Sequence, residues 1–196
     1  MRIIGGTLKG RALRARPGAN TRPTSDRVRE AVASALEARD LIRDRAVLDL
    51  FAGTGALALE ALSRGAASAL LVDSDRGAIG AVAQNVADLG LGERARTLQL
   101  DLLGAPGKVS ASLRRSGRGT FGLAFVDPPY AVTPHAVELL ADLAKTDVLG
   151  PGSTVVLEHG KRAKFERPAC FRELAIYRYG DSQVALWETI APSDDT

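Results

Sequence analysis

From residue 46 onward the sequence alternates between short apolar stretches and longer stretches with a helical repeat, and this alternation constrains the fold more than any other feature. Parallel strands need long crossover connections of this kind, so the alternation predicts a parallel sheet with helices on both faces. The predicted strands are 46–50, 68–72, 96–100, 122–126 and 154–158, and the predicted helices are 55–64, 75–89, 106–115 and 134–145.

The end of the chain departs from this alternation of strands and helices. Two further strands, 173–179 and 183–189, are predicted around a tight turn at Gly180-Asp181. Strands joined by so short a turn must run antiparallel to each other. The predicted fold class is therefore α/β, with a Rossmann-like, seven-stranded and mostly parallel sheet that ends in an antiparallel hairpin.

The start of the chain has a different pattern. The pattern of residues 2–16 predicts a small β-hairpin or meander, and residues 17–23 predict a turn-rich linker. A capping residue at 24–26 predicts a helix that ends near residue 38. We therefore predict a basic N-terminal extension at 1–40, a main domain at 41–192 and a tail at 193–196.

Composition excludes several classes of protein. The apolar stretches fall short of the roughly 18 to 20 residues that span a membrane, and the N-terminus lacks the apolar run of a secretory signal. One cysteine, Cys170, and two histidines, His135 and His159, leave little for a disulfide or a metal site. We expect a cytoplasmic, metal-free monomer, in which Cys170 serves packing. His159 is expected to be solvated or to lie in a loop, and the alternative is that it lines the ligand cleft.

A glycine loop joins the first predicted strand to the next helix. Its Gly53-x-Gly55-x-x-Ala58 spacing fits the dinucleotide fingerprint, with Asp73 twenty residues beyond Gly53. The glycines alone leave both NAD-type cofactors and S-adenosylmethionine open. Asp49 favours the second, because a carboxylate repels a pyrophosphate and attracts an ammonium and a sulfonium group.

Two more acids follow the second and third strands. Asp73 can accept hydrogen bonds from both ribose hydroxyls, and Asp101 can accept one from the adenine amine. The carboxyl ends of parallel strands form the cleft in which open α/β sheets bind ligands. The alternative is that Asp49 and Asp101 only cap helices.

The most specific motif is Asp127-Pro128-Pro129-Tyr130, after the fourth predicted strand. Each proline has a fixed φ and no N–H, so the segment is stiff and presents carbonyl oxygens without competing donors. The Asp127 carboxylate and the Pro128 carbonyl can accept the two N–H groups of an exocyclic amine, and Tyr130 offers a ring on which a base can stack. The alternative is an ordinary proline turn.

Positive charge is concentrated at the start of the chain. Residues 1–29 hold eight basic residues and one acidic residue, whereas the remainder holds 18 basic and 22 acidic residues. A basic arm on a mildly acidic body is typical of a protein with a polyanionic partner, and a solvated tail is the alternative. The basic residues of the arm are Arg2, Lys9, Arg11, Arg14, Arg16, Arg22, Arg27 and Arg29.

The order of glycine loop, two acids and Asp-Pro-Pro-Tyr resembles the amino-methyltransferases of nucleic acids. Further stretches resemble the RsmD family, which methylates N2 of a guanine in bacterial small-subunit ribosomal RNA, and the likeness covers nearly the whole chain. These stretches are 2–6 (RIIGG), 22–30 (RPTSDRVRE), 49–57 (DLFAGTGAL) and 60–65 (EALSRG). The family motif can end in Phe, so Tyr130 adds a hydroxyl to which the sequence assigns no role.

The resemblance implies a class I methyltransferase fold, S-adenosylmethionine as cofactor, and 16S ribosomal RNA in an assembling 30S particle as substrate. It implies catalytic roles for Asp127, Pro128, Pro129 and Tyr130, and RNA contacts for the basic arm. The residues predicted to bind the cofactor are Asp49, Phe51, Ala52, Gly53, Thr54, Gly55, Asp73, Ser74, Asp101 and Leu102.

Three other functions remain open. A DNA adenine-N6 or cytosine-N4 methyltransferase uses the same loop, although we see no large domain that could read a DNA sequence. A non-catalytic RNA-binding assembly factor could retain the shape of a methyltransferase. A protein-glutamine methyltransferase usually has Asn where this chain has Asp127.

Overall fold

The computed structural model describes residues 1–14, 26–117 and 119–191. Within them, seven strands form a sheet in the order β3-β2-β1-β4-β5-β7-β6. The strands are β1 (Ala46–Leu50), β2 (Ser68–Asp73), β3 (Ala95–Gln99), β4 (Leu123–Val126), β5 (Thr154–Gly160), β6 (Phe171–Tyr179) and β7 (Ser182–Thr189). The helices are α1 (Asp26–Glu37), α2 (Ala56–Ser63), α3 (Arg76–Asp88), α4 (Pro106–Ser116) and α5 (Thr133–Lys145).

The predicted fold class is confirmed. β1 pairs with β2, β2 with β3, and β4 with β5, all in parallel, whereas β7 runs antiparallel to both β5 and β6. Each of these strands, and each helix from α2 to α5, begins and ends within two residues of its predicted bounds. Among the described helices, none combines the length and the apolar character that crossing a membrane requires.

The chain divides into two compact units, an N-terminal unit of Met1–Asp101 and a C-terminal unit that begins at Leu102. In the N-terminal unit, α2 packs against β1 and β2, and α3 packs against β2 and β3. Val47, Leu48 and Leu50 of β1 are fully buried, as the continuous apolar run of a covered parallel strand requires. The predicted boundary between residues 40 and 41 stays a prediction.

In the C-terminal unit every residue of β4 is buried, and Val126 pairs with Leu157 of β5. The segment that follows β4 therefore begins beside the carboxyl-terminal part of β5. Trp187 of β7 packs against Phe165 and Phe171, with ring centroids 6.0 and 5.7 Å apart. These rings fix the edge of the sheet that carries the hairpin.

The N-terminal segment forms a small antiparallel hairpin that is shorter than the predicted one, with backbone hydrogen bonds joining residues 1–3 to residues 10–13. Its described residues form one antiparallel bridge, Arg2 with Ala12, and a short 3-10 helix at Gly6–Leu8. The physical reason is that the N–H groups of Ile4 and Gly5 donate to the two carboxylate oxygens of Glu60 on α2, at 2.7 and 2.8 Å, instead of to a partner strand. The predicted linker at 17–23, the predicted caps Thr24 and Ser25 and the predicted tail at 193–196 lie outside the described residues.

Candidate functional site

The glycine loop turns sharply after β1 on residues with left-handed backbone. Phe51 has φ +62°, Gly53 +55° and Gly55 +76°. Glycine adopts this region freely, but an aromatic residue such as Phe51 pays a strain cost of order 1–2 kcal/mol. Such strain persists only where the surrounding structure enforces it, so the loop is a tightly constrained turn.

The two glycines of this loop serve different purposes. A side-chain carbon on Gly55 would lie 2.8 Å from a methyl carbon of Leu71, so this position must be glycine for α2 to pack on β2. Among the residues that the structure describes, the same carbon on Gly53 would meet only the Phe51 carbonyl, at 4.0 Å. Gly53 therefore leaves open space beside its backbone, as the close approach of a ligand requires.

Asp73 holds this loop from the end of β2. One of its carboxylate oxygens accepts the N–H of Gly53 at 2.9 Å, and the other accepts the N–H of Asp75 at 2.9 Å. A carboxylate has about four lone-pair positions, so two such bonds leave capacity for the ribose hydroxyls. The half-buried Asp73 both shapes the loop and keeps its predicted ligand role open.

Asp49 is buried within β1, with 1% of its surface exposed, and its carboxylate accepts the N–H of Ala58 at 3.2 Å. Ala58 lies in the first turn of α2, so the capping alternative describes one real role of Asp49. Asp101 does not fit that alternative, because Ala105 occupies the N-cap position of α4. Asp101 is exposed after the end of β3, where an adenine amine could reach it.

The remaining predicted cofactor contacts differ in exposure. Ala52 and Thr54 are half-buried in the glycine loop, and Ser74 is exposed. The side chain of Leu102 is buried, with 2% exposed, and its carbonyl lies 3.2 Å from His135 Nε2. Contacts of all these residues with a cofactor stay predictions.

Asn85 supports the glycine loop and was missed by sequence reasoning. Its amide nitrogen donates to the Thr54 carbonyl at 3.1 Å and to the Arg14 carbonyl at 3.0 Å, while its oxygen accepts the Arg14 N–H at 2.8 Å. Asn85 is 1% exposed on α3. A lone asparagine on an apolar helix face was the only available signal, since both its partners lie at least 31 residues away.

The loop of residues 127–130 lies in the C-terminal unit, directly after β4. Asp127 is half-buried, Pro128 is buried, and Pro129 and Tyr130 are exposed. Tyr130 begins a short 3-10 helix, and its carbonyl accepts the hydroxyl of Thr133 at 3.1 Å. Its own hydroxyl lies 2.6 Å from Ser182 Oγ, a partner that the sequence did not indicate.

The basic arm is partly structural. Arg29 departs from the predicted RNA contact, because only 2% of it is exposed and it donates to the Arg2 carbonyl at 3.1 Å, bracing the N-terminal segment. Arg14 forms an ion pair with Asp88 at 2.8 Å, and Arg11 donates to the Asp88 carbonyl at 2.6 Å. The exposed arm residues are Arg2, Lys9, Arg11, Arg14 and Arg27, and Arg16 and Arg22 lie outside the described residues.

The predictions for Cys170 and His159 have different outcomes in the structure. Burial raises the pKa of the Cys170 thiol, which makes it a poor nucleophile and fits the packing role. His159 is not solvated or in a loop: it is 7% exposed within β5 and its ring meets Phe165 edge-on at 4.9 Å. The predicted strand ended at residue 158, two residues before β5 ends, and therefore left out His159, which pairs with Gln183 of β7.

The residues of the glycine loop fit S-adenosylmethionine. Gly53 leaves room for a ligand beside the backbone, and Asp73 retains acceptor positions. Asp49 and Asp101 lie at the carboxyl ends of β1 and β3, and their predicted roles as acceptors for an ammonium and an adenine amine stay predictions. These carboxylate acceptors suit a cationic ligand with a ribose better than a pyrophosphate, which they would repel.

Comparisons with known proteins place the chain in a family. A family model described as Conserved hypothetical protein 95 matches residues 1–188. The chain is 35% identical over 191 residues to YlbH of Bacillus subtilis, a protein named as an rRNA methyltransferase, and the match covers 96% of this chain and 98% of YlbH. It is 38% identical over 144 residues to ribosomal RNA small subunit methyltransferase D of Escherichia coli, covering 72% of this chain and 67% of that protein.

A solved structure gives the same answer for the fold. The structure of the Escherichia coli protein yhhF, which is named as a methyltransferase, matches with a TM-score of 0.78 and 32% identity, and the match covers 97% of this chain and 98% of that one. The match of the family model over almost the whole chain confirms the resemblance seen in the sequence. The chain belongs to the RsmD family of S-adenosylmethionine-dependent methyltransferases.

Proposed function

We propose that this protein methylates the exocyclic N2 amine of a guanine in 16S ribosomal RNA, with the assembling 30S particle as its substrate. The observation that carries the proposal is the Asp-Pro-Pro-Tyr loop after β4, in a chain 38% identical to a protein named ribosomal RNA small subunit methyltransferase D. Tyr130 of this loop is an exposed large aromatic side chain, 39% exposed, as a stacking surface for a base must be.

The N-terminal unit would hold the cofactor. Asp49 and Asp101 would attract its ammonium and adenine amine, Asp73 would accept its ribose hydroxyls, and the backbone of Gly53 would lie closest to it. S-adenosylmethionine supplies, when bound, an electrophilic methyl group on a sulfonium. The remaining chemistry is the work of the 127–130 loop.

The loop would orient and deprotonate the amine. The lone pair of an exocyclic guanine amine is delocalised into the ring, and it becomes available when the N–H groups are held out of the ring plane. Asp127 and the Pro128 carbonyl would accept those two N–H groups, which is catalysis by positioning. Once the nitrogen carries a methyl group it must lose a proton, and the Asp127 carboxylate is the base that this loop provides.

The exposed cations of the N-terminal arm would contact phosphates of the RNA. Lys9 and Arg27 are exposed, and Arg11 and Arg14 project beside α3 from the anchored N-terminal segment. Phosphate contacts of this kind fix register and do not read sequence. We further propose that the protein acts in the cytoplasm, as a monomer, without a metal ion.

Tritiated methyl transfer to unmodified 30S particles, free 16S RNA and duplex DNA, followed by nucleoside mass analysis, tests the proposal. We expect label only as N2-methylguanosine, with 30S particles as the best acceptor. Label in DNA as methyladenine or methylcytosine would overturn it, because the same loop accepts any exocyclic amine. Absence of transfer to every acceptor, with tight RNA binding retained, would favour a non-catalytic assembly factor.

A further inference from the structure

Tyr130 is held at its tip by a partner far away in sequence. Its hydroxyl oxygen lies 2.6 Å from Oγ of Ser182, which is the first residue of β7 and is 7% exposed. Either oxygen can donate, so the pair can satisfy itself in both directions. A buried serine that faces an exposed tyrosine fixes the end of the ring farthest from the backbone.

Tyr130 is also held on one face, by Gly160. A side-chain carbon added at Gly160 would lie 3.0, 3.2 and 3.3 Å from Cδ2, Cγ and Cε2 of the tyrosine ring. Because the three distances are nearly equal, that point lies above the ring face near Cδ2 and not beyond its edge. The ring therefore rests on the bare backbone of Gly160, at a separation that leaves no room for a larger residue.

Both contacts come from one cross-strand pair. Gly160 at the end of β5 is the antiparallel partner of Ser182 at the start of β7. The N–H of Lys161 donates to the Asp181 carbonyl at 2.8 Å, which ties the residue after Gly160 to the residue before Ser182. The support under the tyrosine is consequently a rigid piece of sheet.

A glycine is needed at position 160 because of its contact with the Tyr130 ring, and not because of its own backbone conformation. Its backbone is not left-handed, so alanine would be tolerated there as far as φ is concerned. A tyrosine side chain has two principal torsions, and contact at the tip and on one face restrains both. The remaining exposed surface of Tyr130 then has a defined plane.

We propose that Gly160 and Ser182 are positioning residues that set the plane of the Tyr130 ring, so that the target base stacks on it in one orientation. The inference rests on the proposed function, because it assigns the ring to base stacking. It also gives the Tyr130 hydroxyl a role: the hydroxyl orients the ring and takes no part in the chemistry. A ring that is already oriented lowers the free-energy cost of placing the target amine for transfer. We therefore expect substitutions of Gly160 and Ser182 to change kcat.

Five variants and a matched control test this inference. Ser182→Ala and Tyr130→Phe should each lower kcat for 30S methylation about threefold to tenfold, as the loss of one hydrogen bond implies. The double variant should be no slower than either single variant, and Ser182→Thr, which keeps a hydroxyl, should restore the rate. Gly160→Ala should lower kcat at least as much, since its added carbon displaces the ring. The control is Tyr177→Phe on β6, for which the described residues show no side-chain hydrogen bond, and it should leave kcat unchanged.

The readouts separate positioning from stability and from the proposed function. The dissociation constant for S-adenosylmethionine and the melting temperature should stay at wild-type values in Ser182→Ala, so that a fall in kcat cannot be a loss of fold. Additive effects of Ser182→Ala and Tyr130→Phe, or a wild-type kcat in Ser182→Ala, would overturn the inference while leaving the function intact. If the wild-type protein itself transfers no methyl group to RNA, the proposed function fails first.

Discussion

The glycine loop after β1 and the Asp-Pro-Pro-Tyr loop after β4 are built by opposite means. The first contains three left-handed residues, Phe51, Gly53 and Gly55, and presents mainly backbone. The second contains two prolines that remove backbone freedom, and it presents side chains. Both follow a strand that is almost completely buried.

The difference follows from what each loop has to hold. A backbone turn that lacks side chains suits a large ligand that must approach closely, and its shape is fixed by nearby acceptors such as Asp73. A small planar amine needs acceptors at fixed angles, which the stiff loop and the supported Tyr130 ring can give. Damage to the first loop should therefore appear in binding and stability, and damage to the second in rate.

The sharpest test of this division is Asp127→Ala. We expect kcat to fall about 100-fold or more, because the substitution removes the carboxylate that orients and deprotonates the amine. The dissociation constant for S-adenosylmethionine, measured by calorimetry, should stay within about twofold of wild type. A large loss of cofactor affinity would contradict the division of labour between the two loops.

The next largest effect should come from the glycine loop. Gly55→Ala combines a left-handed backbone with a contact of 2.8 Å to Leu71, so we expect it to lower the free energy of unfolding by about 2–4 kcal/mol. Gly53→Ala is the matched control, with a left-handed backbone but open space, and should cost about 1 kcal/mol. Urea unfolding of both variants measures the difference, and equal losses would show that packing against Leu71 is unimportant.

Gly53→Ala should nevertheless be the more informative variant for ligand binding. Its added carbon would occupy the space that we assign to the cofactor, so the dissociation constant should rise by at least about tenfold. Wild-type affinity in this variant would mean that the cofactor does not approach Gly53.

An effect on stability somewhat smaller than that of Gly55→Ala is expected at Asn85, which ties the glycine loop to the N-terminal segment. Asn85→Ala removes three hydrogen bonds to Thr54 and Arg14, two of them with backbone carbonyls, and should cost about 2–3 kcal/mol of unfolding free energy. The neighbouring Gln84→Ala removes only an exposed bond to Asp88 and should cost under about 0.5 kcal/mol. Similar losses in the two variants would argue against a special role for Asn85.

The smallest effect concerns pH. The hydrogen bond from Arg14, with a second from Gln84, holds the pKa of the Asp88 carboxyl below its ordinary value of 3.8. A lowered pKa means that the stabilisation is present above the ordinary value and is lost as pH falls through the lowered one. Asp88→Asn should therefore weaken the acid dependence of unfolding slightly, because the pair is exposed and screened by solvent. An unchanged pH profile in this variant would mean that Asp88 contributes nothing measurable.

Sequence reasoning reached much of this structure for a physical reason. The strands and helices are set by local periodicity, and the glycine loop and its Asp73 partner are a pattern of fixed spacing. The supports of Tyr130 could not be predicted in this way. Gly160 and Ser182 meet the ring only because β5 and β7 pair antiparallel in one particular register, which depends on the whole sheet.

Burial of charged side chains was the second property that could not be predicted from the sequence. Arg29 belongs to a basic cluster and therefore suggested an RNA contact, yet its guanidinium lies inside and bonds the Arg2 carbonyl. The stretches 2–6 and 60–65, which carry part of the family resemblance, contact each other through Glu60 and the N–H groups of Ile4 and Gly5. Some residues that carry the family resemblance thus stabilise the fold. Neither their charge nor their motif distinguished them from residues that contact a ligand.

The anchoring of the first residues has a practical consequence for handling the protein. Ile3 is completely buried, the Met1 carbonyl accepts the N–H of Leu13 at 3.0 Å, and the Met1 sulfur lies 3.4 Å from the hydroxyl of Thr54. An affinity tag fused ahead of Met1 would thus emerge beside the glycine loop, where it could compete with the cofactor. Purification through a C-terminal tag, or removal of an N-terminal one before any kinetic work, avoids mistaking a cloning artefact for a property of the enzyme.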